Sequence, residues 1–470
     1  MKGYQKHFPF LLVSGLILIG TFLRLYHLDY NSFWLDEAAT HIFTQQSLGE
    51  YWQLLSNLGE VHPPLFYIVE KIILPFGSSE FLYRLFPALF GVATIPLFYL
   101  IGKKMAGIPV GIIMAALISF SPFHIQYSQD ARMYTMLLFI TALALIFYLE
   151  ATSSNNINYW VLFGIVSALA IWTHFMAFIL IGALFIYSFC YLVQGKKSPK
   201  NLLLSIVVMM VLLSPLFVII KGLFFNRIGS APTWGYTGDL FIVKSVIILF
   251  SNNPFSFLFF AVLLCLGSCW LFFESREKFY FIFSILAISI VTGVVLSYRM
   301  PIDPRYFIFL LPFLYAIMAS AALPFLRQLS EKPVIIIFVV LLICVWSPQL
   351  YGYYNTPMNE DWRTASAFVK NTAKNNDLII IMPDYNKIPF NFYYNNSTYG
   401  TIQINTASRD ELEKVNSLRC NSKVSAYILV TGDLRSVDRS GEAISWIGSS
   451  HITEINNFNG VHVGKITSKC

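Results

Sequence analysis

An acidic pair, Asp36-Glu37, is the part of the sequence best suited to chemistry. It follows the first long apolar segment, within Phe33-Trp34-Leu35-Asp36-Glu37-Ala38. A carboxylate within hydrogen-bond reach of a hydroxyl can take its proton as the oxygen attacks carbon. Neighbouring residues on a helix point in directions about 100° apart, so we expect one acid to face the reaction and the other to support structure or bind a substrate. The alternative is a helix N-terminus whose acids are stabilised by the macrodipole.

The composition is that of a polytopic α-helical membrane protein. Of 470 residues, 56% are hydrophobic and only 12% are charged, against about 25% charged residues in soluble domains. The formal net charge of +7 requires no nucleic-acid partner, because most Lys and Arg residues stand in short loops between apolar segments. We therefore expect membrane lipid, and not nucleic acid, around this chain.

The sequence contains about eleven apolar segments near the length needed to cross a bilayer. These segments are 8–26, 83–103, 106–123, 132–150, 157–173, 175–194, 201–220, 254–273, 279–297, 305–325 and 333–350. The first is longer than the apolar region of a cleaved signal peptide, so we expect it to be retained. The distribution of Lys and Arg predicts a multi-pass cell-membrane protein with a cytoplasmic N-terminus, and an odd number of spans then makes the C-terminus extracytoplasmic.

Two regions outside the spans have their own predicted structure. In the first outer loop, 47–52 and 64–69 have helical spacing but are too short to cross a bilayer, so we expect helices lying in the interface. After residue 350 the composition becomes mixed polar, which predicts a membrane domain over 1–350 and a C-terminal α/β soluble domain over 351–470. That domain is predicted to contain helices at about 360–374 and 441–447 and strands at 378–382, 426–430 and 461–466. Cys420 and Cys470 could pair there in an oxidising compartment.

Polar residues at the join of the third and fourth spans form a second candidate site. The segment from Tyr127 to Tyr134 includes Gln129, Asp130 and Arg132. Asp130 is a candidate second acid, Tyr127 and Gln129 are candidate substrate contacts, and Arg132 is a candidate phosphate ligand because a guanidinium binds phosphate oxygens through parallel hydrogen bonds. The alternative is a simple Asp130–Arg132 ion pair.

Three further polar residues are predicted to contact substrate. Glu60 and His62 precede a short helix, where capping or packing is the alternative for His62. Two such residues do not make a metal site, so no metal is assigned, although a divalent ion could assist. Arg305 departs from the positive-inside tendency; a phosphate in the outer leaflet would explain it, and snorkelling to lipid headgroups is the alternative.

Several motifs resemble those of one enzyme family. They are Phe33-Trp34-Leu35-Asp36-Glu37-Ala38, His62-Pro63-Pro64-Leu65, Arg84-Leu85-Phe86-Pro87-Ala88-Leu89-Phe90-Gly91, the stretch from Ser121 to Tyr134, and Arg305-Tyr306. This pattern is similar to GT-C-fold glycosyltransferases that use polyprenyl-phosphate sugars, such as protein O-mannosyltransferases, aminoarabinose transferases and Rgt-type enzymes. The resemblance implies that Asp36 is the catalytic base, Asp130 a second acid, and Arg132 and Arg305 the ligands of the donor phosphate.

The function predicted from these features is inverting transfer of a hexosyl or pentosyl group. The donor would be a polyprenyl-phosphate-linked sugar, and the acceptor a hydroxyl of a glycan, lipid or protein at the outer membrane face. Two alternatives are a transporter of a lipid-linked sugar and a non-catalytic scaffold of the cell envelope. Charges gathered at the outer boundary, and not at mid-membrane depth, disfavour the transporter.

Overall fold

A computed structural model describes most of the chain. The described residues are 2–57, 62–194, 199–227, 239–250, 253–394, 401–405, 409–422, 424–432, 434, 438, 440–450 and 452–466. They form two compact units. The membrane unit comprises Met1–Tyr26, Gln46–Gly77 and Leu82–Tyr353, and the sheet unit comprises His27–Gln45, Ser78–Phe81 and Tyr354–Cys470.

The predicted polytopic helical architecture is confirmed. Eight helical segments are long and apolar enough to cross a membrane, a bent pair supplies a ninth, and two shorter apolar helices are also present among the described residues. The number of spans therefore stays a prediction. These helices and the shorter ones between them are α1 (Lys2–Leu25), α5 (Glu80–Ala106), α6 (Ile108–Phe120), α7 (Pro122–Ser128), α8 (Tyr134–Ser154), α9 (Ile157–Thr173), α10 (Ala177–Gln194), α11 (Lys200–Arg227), α12 (Asp239–Phe250), α13 (Pro254–Glu274), α14 (Arg276–Ser297), α15 (Leu311–Ser320), α16 (Leu323–Gln328) and α17 (Glu331–Asn355), with a 3₁₀ helix at Pro304–Leu310.

The segment between α1 and α5 contains short helices, including those that the apolar spacing at 47–52 and 64–69 predicts. They are α2 (Leu35–Gln45), α3 (Leu48–Ser56) and α4 (Leu65–Glu70), followed by a 3₁₀ helix at Lys71–Phe76. The start of α3 is fixed by a reciprocal cap, because the Ser47 side chain accepts from the Glu50 backbone while the Glu50 carboxylate accepts from the Ser47 backbone.

Close backbone packing in the membrane unit depends on Gly267. This residue lies in α13, and a Cβ placed there would overlap the Ile317 carbonyl oxygen of α15. Small residues let membrane helices approach in this way. We expect Gly267→Ala to destabilise the protein by about 1–3 kcal/mol, the usual cost of overpacking. Thermal unfolding of the purified protein in detergent measures this loss.

Gly182→Ala is the matched control for this prediction. Gly182 also lies in an apolar helix, α10, but a Cβ there would have nothing within 4 Å. Because alanine has the higher helix propensity, this variant should unfold at or slightly above the wild-type temperature. Equal unfolding temperatures for Gly267→Ala and wild type would contradict the proposed close contact of α13 and α15.

The sheet unit contains a five-stranded mixed sheet. Its strands are β1 (Leu378–Met382), β2 (Ile402–Asn405), β3 (Ala426–Thr431), β4 (Ile452–Phe458) and β5 (Val461–Ile466), in the order β2-β1-β3-β5-β4. β1 pairs in parallel with β2 and β3, whereas β5 pairs antiparallel with β3 and β4. The helices are α18 (Trp362–Thr372), α19 (Lys387–Tyr393), α20 (Arg409–Ser422) and α21 (Glu442–Ser449), with a 3₁₀ turn at Asp384–Asn386.

The core of this sheet has two faces. β1 is apolar and buried throughout, as expected of a central parallel strand covered on both sides. Ile379 and Ile381 pack in a cluster with Trp362, while Ile380 packs with Trp446 on the other face. The predicted α/β domain is therefore confirmed, and all three predicted strands form. The prediction missed β2, β4, α19 and α20.

Two details of the sheet unit go beyond the predicted organisation. The division into 1–350 and 351–470 stays a prediction. The last membrane helix, α17, continues to Asn355, and the sheet unit also includes residues 27–45 and 78–81. Cys420 is disulfide-bonded. Cys470, its candidate partner, lies outside the described residues.

Candidate active site

The candidate site of the membrane unit follows a break between two helices, α6 and α7. α6 ends at Phe120 and α7 begins at Pro122, and the pair bends by 58°. Proline has no N–H to continue the ladder of α6, and the Ser121 hydroxyl instead accepts from the His124 backbone at 3.2 Å as the N-cap of α7. The break turns the chain into the segment that contains Asp130 and Arg132.

Arg24 braces this break from α1. Its side chain is fully buried, and its guanidinium donates to the carbonyls of Ser119 at 3.2 Å and Ile118 at 2.8 Å, at the unsatisfied C-terminal end of α6. It also donates to His124 Nδ1 at 2.7 Å. A buried arginine in a membrane helix is costly unless its donors are satisfied, so these bonds make α1 a fixed support for α6 and α7.

Gln129 caps the end of α1. Its amide nitrogen donates to the Tyr26 carbonyl at 2.7 Å and the Arg24 carbonyl at 3.0 Å, while its oxygen accepts from the Tyr353 hydroxyl at 2.9 Å. These contacts favour a positioning role for Gln129 over the predicted substrate contact, because binding a substrate would require breaking one of them.

Arg132 and His62, both predicted substrate contacts, lie next to each other. The Arg132 side chain is buried and donates to the Tyr67 hydroxyl at 3.3 Å and to His62 Nε2 at 3.4 Å. The His62 carbonyl accepts from the Tyr51 hydroxyl at 2.8 Å, which holds the start of α4. Asp130 is also buried, and its carbonyl accepts from the Arg132 backbone at 2.7 Å. Glu60 lies outside the described residues.

Arg305 lies on an aromatic surface. Its guanidinium carbon is 5.5 Å from the ring centre of Tyr134 and 5.8 Å from that of Tyr306, distances typical of cation–π contacts. Asp303 caps the 3₁₀ helix through the Arg305 backbone at 3.0 Å and lies 3.5 Å from Arg305 Nε. Tyr127, another predicted contact, packs edge-on against Tyr134 with ring centres 5.2 Å apart.

His174 joins these groups into one set, here called the arginine cluster. Its ring centre is 5.6 Å from His62, 6.2 Å from Tyr134 and 5.2 Å from Tyr306. The arginine cluster is Arg132, Arg305, His62, His174, Tyr134 and Tyr306. Two guanidinium groups surrounded by ring and hydroxyl donors, away from bulk water, form a binding environment for an anion.

The two acids of the sequence motif lie in the sheet unit, in the first turn of α2. Glu37 is buried, and its carboxylate is 3.5 Å from the Asn359 amide nitrogen. Asn359 also donates to the Ser32 carbonyl at 3.0 Å. Asp36 is half-buried, and its carbonyl accepts from the Thr40 hydroxyl. The two acids, although neighbours on one helix, therefore have different environments.

A polar network holds the chain that leads into α2. The Tyr393 hydroxyl accepts from the Phe33 backbone at 2.7 Å and donates to the Glu80 carboxylate at 2.7 Å. Arg363 binds the same carboxylate at 2.8 Å and donates to the Asp29 carbonyl at 2.9 Å. Burial, reinforced by Glu80, raises the pKa of Tyr393, so this hydroxyl stays protonated. The sheet unit thus fixes the backbone just before Asp36.

Comparisons with known proteins find similar sequences and similar folds. Residues 61–219 match the model of the family described as dolichyl-phosphate-mannose-protein mannosyltransferase. An uncharacterised protein of Aquifex aeolicus is 27% identical over 373 residues, which cover 74% of this chain and 71% of that protein. The crystal structure of ArnT from Cupriavidus metallidurans in the apo state superposes with a TM-score of 0.63 and 13% identity, covering 99% of both chains.

The chain has the GT-C fold. Two further structures agree: ArnT bound to undecaprenyl phosphate, with a TM-score of 0.62, 14% identity and 97% of both chains covered, and the Archaeoglobus fulgidus oligosaccharyltransferase in complex with Zn and sulfate, with a TM-score of 0.56, 14% identity, and 90% and 68% covered. The predicted fold is confirmed. The family match and the GT-C fold together support the predicted class, a membrane glycosyltransferase that uses a polyprenyl-linked sugar.

Within this GT-C fold, sequence reasoning missed several polar residues of the membrane unit. Arg24 is an arginine inside an apolar segment, which is itself a signal of a functional or bracing role. Tyr67 carries no such signal, because tyrosine is common throughout this chain, whereas Tyr134 and Tyr306 stand inside motifs that carry the family resemblance. In the part of the chain that the structure describes, no group of three His, Cys, Asp or Glu residues is placed to hold a metal ion.

Proposed function

We propose that this protein is an inverting glycosyltransferase of the cell membrane. It would move one hexosyl or pentosyl group from a polyprenyl phosphate to an acceptor hydroxyl at the extracytoplasmic face, with the N-terminus in the cytoplasm. The observation that carries the proposal is the arginine cluster, because two guanidinium groups that share a set of histidine and tyrosine rings among apolar helices suit a phosphate on a lipid chain. The similar fold of ArnT, which has been crystallised with undecaprenyl phosphate bound, supports the same class of donor.

The chemistry assigned to these residues is a single displacement. Asp36 takes the proton of the acceptor hydroxyl as that oxygen forms a bond to the anomeric carbon. The bond between the anomeric carbon and the phosphate oxygen breaks, and the electron pair leaves with the phosphate. Arg132 and Arg305 stabilise the charge that develops on this leaving group, which requires no covalent intermediate. Asp130 is the second acid of the proposal, and Glu37 supports Asp36.

The remaining predicted contacts serve the donor or the acceptor. His62 and Tyr127 contact members of the arginine cluster, so we assign them to the phosphate and the sugar next to it. Glu60 keeps its predicted role as a substrate contact. The acceptor is a glycan, a lipid or a protein, since relatives with the GT-C fold need not share an acceptor.

The decisive experiment is transfer from defined donors by purified protein in lipid nanodiscs. Undecaprenyl-phosphate and dolichyl-phosphate sugars, hexoses and pentoses, are supplied with mixed acceptors, and release of the polyprenyl phosphate is measured. We expect release from at least one donor with inversion at the anomeric carbon. A protein that binds no donor and releases no polyprenyl phosphate would refute the proposal. Movement of intact donor across the bilayer without cleavage would favour the transporter.

A further inference from the structure

His174 is held in one orientation between two membrane helices. It follows the last residue of α9, and its backbone N–H donates to the Ala170 carbonyl at 3.0 Å. The side chain is only 4% exposed. Its Nδ1 accepts from the Met176 backbone N–H at 3.1 Å. An amide N–H can only donate, so Nδ1 carries no proton, and the proton of the neutral ring is on Nε2.

The ring is neutral for a clear physical reason. Burial, with contributions from His62, Arg132 and Arg305, holds the pKa of His174 well below its usual value. A neutral histidine with Nδ1 as acceptor presents Nε2–H as its single donor. His174 Nε2 is fully buried and has no hydrogen-bond partner among the described residues.

A buried donor of this kind normally has a partner, because an unsatisfied buried polar group costs about 1–3 kcal/mol. The ring contacts of His174 are other members of the arginine cluster, His62, Tyr134 and Tyr306. Arg305 packs over the same two tyrosine rings, and Arg132 donates to His62. The His174 ring thus belongs to a cluster with two guanidinium groups, Arg132 and Arg305, which favours an acceptor with negative charge as the partner of Nε2–H.

We propose that His174 Nε2–H is a donor to a non-bridging oxygen of the polyprenyl-linked phosphate, a proposal that rests on the function proposed above. The bond fixes the phosphate without a change in protonation, because the neutral ring keeps its proton on Nε2 throughout. His174 thus recognises the phosphate group as such, in the sugar-linked donor and in the released polyprenyl phosphate alike. The alternative is a histidine that only fills space among aromatic rings.

The matched pair His174→Gln and His174→Met separates these roles. Both replacements are unbranched and similar in length, but only glutamine can place an N–H near the position of Nε2. The measurement is binding of undecaprenyl phosphate to purified protein in nanodiscs, with undecaprenol and inorganic phosphate as separate ligands. His174→Phe is a second variant without a donor, and His462→Phe, at an exposed position on β5, is the control for the substitution itself.

We expect His174→Met and His174→Phe to bind undecaprenyl phosphate about ten- to a hundredfold more weakly, the usual worth of one hydrogen bond to a charged group. His174→Gln should recover most of the affinity, and His462→Phe should match wild type. Binding of undecaprenol should be the same in all variants. Inorganic phosphate that binds as tightly as the lipid would assign the site to free phosphate and overturn the proposal.

Two failures are distinguishable. If wild type binds undecaprenyl phosphate and His174→Met binds it as tightly as His174→Gln does, the assignment of His174 is wrong and the proposed function stands. If wild type binds no polyprenyl phosphate and releases none from any donor, the proposed function fails and this inference fails with it.

Discussion

Asp36→Asn should reduce turnover by about a hundred- to ten-thousandfold, the usual contribution of a general base. Asparagine has nearly the same shape and can still occupy the first turn of α2, but it cannot accept the proton of the acceptor hydroxyl. The donor should bind as it does to wild type, since its phosphate is assigned to the arginine cluster. The measurement is the rate of sugar transfer at saturating donor, together with the affinity for undecaprenyl phosphate.

The control for this result is Asp29→Asn. Asp29 is exposed in the same loop, and the contact described for it, to Arg363, uses its backbone carbonyl. The same chemical change should therefore leave turnover close to that of wild type. If Asp36→Asn turns over normally, Asp36 is not the base. If both variants lose activity and unfold at a lower temperature than wild type, destabilisation of the loop causes the loss of activity.

Arg132→Met should lower kcat/KM for the donor by about ten- to a hundredfold. The expected size is that of a charge-assisted hydrogen bond to phosphate in a buried site. Arg132→Lys should recover only part of this loss, because a point charge cannot reproduce the forked contacts of a guanidinium. Steady-state kinetics with varied donor concentration, together with binding of undecaprenyl phosphate, measures both effects.

Arg327→Met is the control for Arg132. Arg327 lies outside the arginine cluster and donates to the Glu274 carboxylate at 2.9 and 2.8 Å. Exposed pairs of this kind contribute about 0–1 kcal/mol to stability, so the variant should fold and keep the wild-type kcat/KM. Equal losses for Arg132→Met and Arg327→Met would show a general effect of positive charge and remove Arg132 from the phosphate site.

The architecture of this chain can be predicted from sequence because membrane spans are long apolar runs and buried strands are short ones. The runs that became β1 and β3 are apolar enough to be assigned without any partner strand. β4 was missed because its residues are largely polar and half-exposed, which suits an edge strand but resembles a loop. Edge strands depend on the neighbouring strand more than on their own sequence.

The members of the candidate site were singled out from sequence on different grounds. Arg305 departs from the positive-inside tendency, Arg132 lies in a polar segment at the join of two spans, and His62 precedes a short helix. In the structure, His174 and the tyrosine rings connect these residues. Gln129 lies in the same polar segment as Arg132, but its amide caps α1, which depends on how distant helices pack. Sequence alone does not distinguish a polar side chain that binds a ligand from one that binds a carbonyl.

The network of Tyr393, Glu80 and Arg363 makes the acid-bearing helix a part of the sheet unit. The order of α2 thus depends on the folding of a domain that resembles an ordinary soluble α/β protein, and not on the apolar helices alone. With Asp36 as the proposed base, urea or a protease that unfolds only the sheet unit should abolish sugar transfer while the membrane helices remain folded. Under the proposed role of Asp36, a substitution in the C-terminal domain that disturbs α2 would reduce sugar transfer. Selection for activity would therefore also act on that domain.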